Sequence, residues 1–119
     1  MNLREQPACP PLTYSANGLP YAAVEFEWDE DKARRNQLRH GLSFLEATEL
    51  FASSVDYLAI FDEDHSEDED RFVAIGPIAR GVIVVVHTEP AEEVIRIISA
   101  RPATRREVEF YRRYMDDYR

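Results

Sequence analysis

Five consecutive branched aliphatic residues, Val82-Ile83-Val84-Val85-Val86, constrain this chain more than any other feature. Such side chains favour the pleated backbone, and an unbroken apolar run has no polar face to turn to water. The segment must therefore be a strand covered on both sides and central in its sheet. A second apolar segment, Val94 to Ala100, carries Arg96 in its middle and runs into an arginine-rich helix. A guanidinium there is costly to bury unless an anion meets it, and its planar fork suits a carboxylate or a phosphate. A phosphate-handling surface is the expectation.

The elements around these strands are marked by caps and turns. Val24, Phe26 and Trp28 alternate with acidic residues, which predicts a strand. Asp29 then caps a helix that runs to His40 and ends at Gly41. Ser43 and Glu46 have capping-box spacing and open a second helix, with Phe44, Leu45, Leu50 and Phe51 as its apolar side. Strands follow at Tyr57–Phe61, Arg71–Ile78, Val82–Thr88 and Glu93–Ala100, with turns near Arg80-Gly81 and a hairpin around Pro90. Thr104 and Glu107 repeat the capping-box spacing and start a last helix whose apolar stripe is Val108, Tyr111 and Met115. The order predicts an α+β domain, with helices packed on an antiparallel sheet. Residues 1–23, broken by Pro7, Pro10, Pro11, Gly18 and Pro20, read as a flexible extension outside a folded domain of residues 24–119.

At 119 residues the chain can bury one modest core. No apolar run approaches the roughly 20 residues that cross a bilayer, and Met1-Asn2-Leu3-Arg4 leads into no signal-peptide core. The expectation is a cytoplasmic protein without membrane contact. Cys9 has no partner for an internal disulfide and reads as incidental. The net charge of −9 argues against a nucleic-acid ligand until its distribution is considered. Acidic residues crowd Asp62–Asp70, whereas Lys32, Arg34, Arg35 and Arg39 share one segment and Arg96, Arg101, Arg105, Arg106, Arg112 and Arg113 another. A locally basic face can serve RNA or an acidic protein. The acidic loop lacks the glycine and terminal glutamate of an EF-hand and reads as a solvated connection. Zinc, P-loop and dinucleotide motifs are absent, so no cofactor is expected.

Several segments together resemble a known family. Phe26-Glu27-Trp28-Asp29, Lys32, Asn36, His40-Gly41, Ser43-Phe44 and Ala47 are similar to the opening of BrnT toxins. Asp64-His65-Ser66, Glu69, Arg71-Phe72, Ile75-Gly76, Val84–Glu89, Ile95–Arg101 and Ala103–Glu107 continue the likeness in order. The resemblance implies a RelE-like fold with two N-terminal helices and one C-terminal helix, and a ribonuclease toxin of a type II toxin–antitoxin pair. It implies RNA as substrate, a ribbon-helix-helix (BrnA-like) antitoxin as partner, and operator DNA contacted only through their complex. Two positions depart from the pattern, Pro90 and Pro102, where the family commonly carries basic residues.

Metal-independent RNA cleavage needs removal of the 2′-hydroxyl proton, stabilisation of charge at phosphorus, and protonation of the leaving oxygen. His40 and His87 titrate near neutral pH and are candidates for proton transfer, as is Glu89. Arg96, Arg101 and Lys32 are candidates for the phosphoryl charge, and Arg105, Arg106 and Tyr111 for RNA binding. Each has a plainer reading. His40 can complement its helix dipole, His87 and Tyr111 can be core residues, and Arg96 can pair with a carboxylate. The rival function is an antitoxin-binding or co-repressor module without catalysis, lost with Pro90 and Pro102.

Overall fold

The computed structural model describes residues 24–52, 57–65 and 69–117. The extension expected at residues 1–23 lies outside them. Strand β1 (Glu25–Glu27) leads to helix α1 (Glu30–His40), then to short helices α2 (Phe44–Ala47) and α3 (Glu49–Ala52). Strands β2 (Leu58–Phe61), β3 (Arg71–Ile78), β4 (Gly81–Ala91) and β5 (Val94–Pro102) form a meander, and helix α4 (Arg105–Asp117) closes the chain. The sheet order is β1-β5-β4-β3-β2, which places β4, with the aliphatic run, in the middle.

Caps explain most boundaries. Asp29 accepts from the backbone of Asp31 and Lys32, and Gly41 ends α1 at φ 70°. Ser43 and Glu46 form both halves of a capping box. The second predicted helix is broken in two at Thr48, because the Thr48 hydroxyl bonds back to the Leu45 carbonyl at 2.6 Å and competes with the helical ladder. The hairpin expected at Pro90 turns instead at Glu92-Glu93, with Glu93 at φ 63°. Pro90 falls where the β4–β5 register is irregular, between Thr88 and Ala91, so its missing N–H takes no bond from the ladder.

The sheet is mixed rather than antiparallel, since β1 runs parallel to β5. β1 enters as an edge strand held at Val94–Arg96, and α1 then packs along the rest of the β5 edge. There Asn36 takes over the pairing. Its amide nitrogen donates to the carbonyl of Ala100 at 2.7 Å and its oxygen accepts from the Ala100 N–H at 3.1 Å. The same nitrogen donates to the carbonyl of Leu42. A side chain thus satisfies an edge that a longer strand would otherwise pair.

Two cores lie on opposite faces. Phe26, Leu42, Phe44, Leu50, Ala74, Ile83, Val85, Ile97 and Ala100 form the core beneath α1–α3, here called the N-terminal face. Gly76 lets this layer close, since a Cβ there would stand 2.7 Å from Leu50 Cδ1. Leu58, Ile75 and Val84, buried and adjacent across β2, β3 and β4, belong to the face that α4 packs on, the C-terminal face.

Asn36→Ala leaves both backbone groups of Ala100 without their partner. We expect a loss of about 3 kcal/mol in urea unfolding, and a loss under about 1 kcal/mol would contradict this role.

Candidate functional site

One irregularity in β5 decides which side chains meet. Val86 pairs with Ser99 and His87 with Ile97, so Ile98 is an extra residue, a β-bulge. Arg96 and Arg101 are five positions apart and would stand on opposite faces of a regular strand. The bulge re-phases β5, and Arg96 opposes Thr88 while Arg101 opposes Val84, both on the C-terminal face. It also keeps Ile97 and Ala100 together in the core of the other face.

Each arginine grips a carboxylate. Arg96 donates to Glu27 Oε2 from Nε at 2.8 Å and approaches it through Nη2 at 2.6 Å, with Glu69 at 3.8 Å. Arg101 holds Glu107 in a two-bond fork, both distances 2.7 Å. Glu107 also forms the capping box of α4, accepting from Thr104 N–H while the Thr104 hydroxyl accepts from Glu107 N–H. One glutamate therefore starts the helix and positions the arginine. The guanidinium, aided by the cap, holds Glu107 down to about 2. Sequence reading missed Glu27 and Glu107 as site residues. Their signals were present, in the alternation of β1 and in the capping-box spacing.

The other candidates are dispersed. Lys32 is exposed in the first turn of α1 and His40 half-buried in the last, about 12 Å apart along the helix. Arg105 and Arg106 are exposed in the first turn of α4, beside the Arg101–Glu107 fork, and Tyr111 is half-buried farther along the same helix. His87 stands on the opposite face from the arginines. Its ring is 2% exposed, stacked on Phe72 and edge-on to Phe51, with Nε2 3.3 Å from Glu89 Oε2. Glu89 itself is exposed.

A family model described as ribonuclease toxin, BrnT, of type II toxin-antitoxin system matches residues 28–107. The chain belongs to the BrnT family. A crystal structure of the Brucella abortus ribonuclease toxin BrnT is 29% identical, with a TM-score of 0.51 over 67% of this chain and 96% of that one. No curated protein sequence matches. The matched region takes in both arginines of the bulged strand and the glutamate of the α4 cap, and begins one residue after Glu27.

Burial pushes His87 below its ordinary value, against the pull of the Glu89 carboxylate. With Nε2–H donated to Glu89, Nδ1 is left buried and without a partner among the described residues. The unfolded chain takes up a proton near 6.5 while the folded ring resists it, so stability falls as pH drops below that value. We expect the urea midpoint to decrease from pH 7 to pH 5, and His87→Gln to flatten that slope. An unchanged slope in the variant would remove His87 as its source.

Proposed function

We propose that this BrnT toxin is an endoribonuclease that cuts single-stranded RNA by internal transesterification without a metal ion, acting in the cytoplasm and stopping translation when free of antitoxin. The observation that carries the reading is the pair of partly exposed arginines on one face of the sheet, each already paired with a carboxylate. A carboxylate in a guanidinium fork has the geometry and charge of two phosphate oxygens.

In that reaction the 2′-oxygen attacks the adjacent phosphorus, and negative charge grows on the nonbridging oxygens as the 5′-oxygen leaves. Arg96 meets this charge once an RNA phosphate replaces Glu27 in its grip. Glu27, displaced but adjacent, takes the 2′-hydroxyl proton, and a water molecule from solvent gives a proton to the leaving 5′-oxygen. Arg101 stands about 13 Å along the strand, judged from the four-residue spacing of the opposing Thr88 and Val84. That distance suits another phosphate of the same chain rather than the reacting one. Arg105 and Arg106 extend the cationic track there, and Tyr111 supports it from α4. Lys32, at the start of α1 just past β1, is the further cation nearest in sequence to Glu27. His87 and Glu89, on the other face, support the sheet from beneath, and His40 closes α1.

The meander with helices on both faces supports kinship with RelE-like toxins. By the same family logic the antitoxin is a BrnA-like ribbon-helix-helix protein, with operator DNA bound through the complex. The rival reading, an antitoxin-binding module without catalysis, parts from this one in a single experiment.

Wild-type chain and Arg96→Ala/Arg101→Ala are induced to equal levels in a bacterial host and then purified. We expect arrest by the wild type alone, and a cleavage rate about a hundredfold lower in the variant. Products should end in 2′,3′-cyclic phosphate and form in the presence of chelator. Chelator-sensitive cleavage leaving 5′-phosphates contradicts the mechanism, and unaffected growth with no cleavage favours the binding module.

A further inference from the structure

Arg96 shares its end of the C-terminal face with a second arginine that the sequence reading did not single out. Cross-strand register sets Arg71 of β3 opposite Thr88 of β4, and Thr88 opposite Arg96 of β5. Glu27 of β1 lies beyond Arg96 in the same row. Facing residues on adjacent strands have Cβ atoms about 5 Å apart. The two arginine stems therefore flank Thr88 on the same face.

Thr88 itself is the second observation. It is 1% exposed, and its Oγ1 has no hydrogen-bond partner among the described residues. Buried hydroxyls nearly always have one, so a hydroxyl without a partner between two cations points to an acceptor brought from outside the chain. Arg96, with Glu27 and Glu69 in its reach, is the long, half-exposed side chain that must swing for such an acceptor to enter.

We propose that Arg71, Thr88 and Arg96 form one phosphate-binding row, in which the Thr88 hydroxyl donates to a nonbridging oxygen of an RNA phosphodiester held between the two guanidinium groups. The proposal rests on the reading of Arg96 as an RNA contact and adds two residues to it. When the phosphate enters, Arg96 exchanges Glu27 for it. The hydroxyl beneath then gains the acceptor that the protein does not supply. Because the row spans three strands, its spacing is set by sheet register rather than by a loop.

The test is binding of a 2′-O-methyl RNA oligonucleotide, which lacks the nucleophile, measured by fluorescence anisotropy over a range of salt. Arg71→Ala is expected to bind about tenfold more weakly, with a salt slope smaller by about 0.7. Thr88→Val should also weaken binding about tenfold, but with the slope unchanged, since no charge is lost. Its thermal midpoint should be no lower than that of the wild type, because it replaces an unpartnered hydroxyl with a methyl group. Thr88→Ser should bind like the wild type. If Arg96→Ala weakens binding while Arg71→Ala and Thr88→Val do not, the row is wrong and the Arg96 site stands. If Arg96→Ala also binds like the wild type, both fall.

Discussion

The grip of Asn36 on Ala100 is the contact on which the rest of the molecule depends. Ala100 lies two residues past the bulged Ile98, and both of its backbone groups are taken by one amide from α1. That hold fixes where β5 resumes regular pairing after the bulge. A slip of one residue would turn Ala100 and Ile97 out of the core and carry the arginines to the wrong face, since side chains alternate along a strand. The core on one face and the cationic site on the other are thus set by the same register, and a buried asparagine on a neighbouring helix enforces it.

The C-terminal face changes character along its length. Beneath α4 it is apolar, with Leu58, Ile75 and Val84 in a row that ends in Arg101. At the far end the corresponding row is Arg71, Thr88, Arg96 and Glu27. The capping box of α4 ties the helix to the first of these rows, because Glu107 both starts the helix and holds Arg101. A second capping-box glutamate does similar work on the first half of the fold: Glu46 caps α2 while Arg80, at the β3–β4 turn, bonds to both of its oxygens. Local helix signals and long-range ion pairs are made by the same carboxylates, so breaking either pair loosens a helix start as well as a contact.

Much of the fold was legible because caps and turns act locally. Asp29, Gly41, the Ser43–Glu46 box and the Thr104–Glu107 box each report a boundary through chemistry within a few residues. The aliphatic run placed β4 in the centre for the same reason. What could not be read was set at a distance. The parallel entry of β1 depends on how α1 seats against β5, and the bulge at Ile98 leaves no mark in the apolar Ile97-Ile98 pair where it falls. The candidate site was legible in part. Arg96 and Arg101 announced themselves as charges in apolar surroundings, whereas Thr88 and Arg71 become interesting only once three strands are in register. His87 shows the converse, since a residue type suited to proton transfer sits in the layer of aromatic rings on the face away from the arginines.

The carboxylates beside the arginines also reconcile an acidic chain with an RNA substrate. A protein of net charge −9 gains little from long-range attraction to a polyanion, so affinity must come from short-range exchange at the site. Arg96 and Arg101 are not bare cations but ion pairs, and on the proposed function binding RNA replaces one planar anion by another. That exchange costs less than desolvating a free guanidinium, because the group is already partly withdrawn from water and already aligned. The displaced glutamate remains close and repels the incoming phosphate unless it turns aside or takes up a proton. Glu107, held down to about 2 by Arg101 and the cap, stays charged near neutral pH, so at Arg101 movement of the carboxylate is what relieves the repulsion. At Arg96 the carboxylate that must give way is Glu27, which on the proposed mechanism is the group that takes the 2′-hydroxyl proton, so relief of the repulsion and general-base chemistry would be one event.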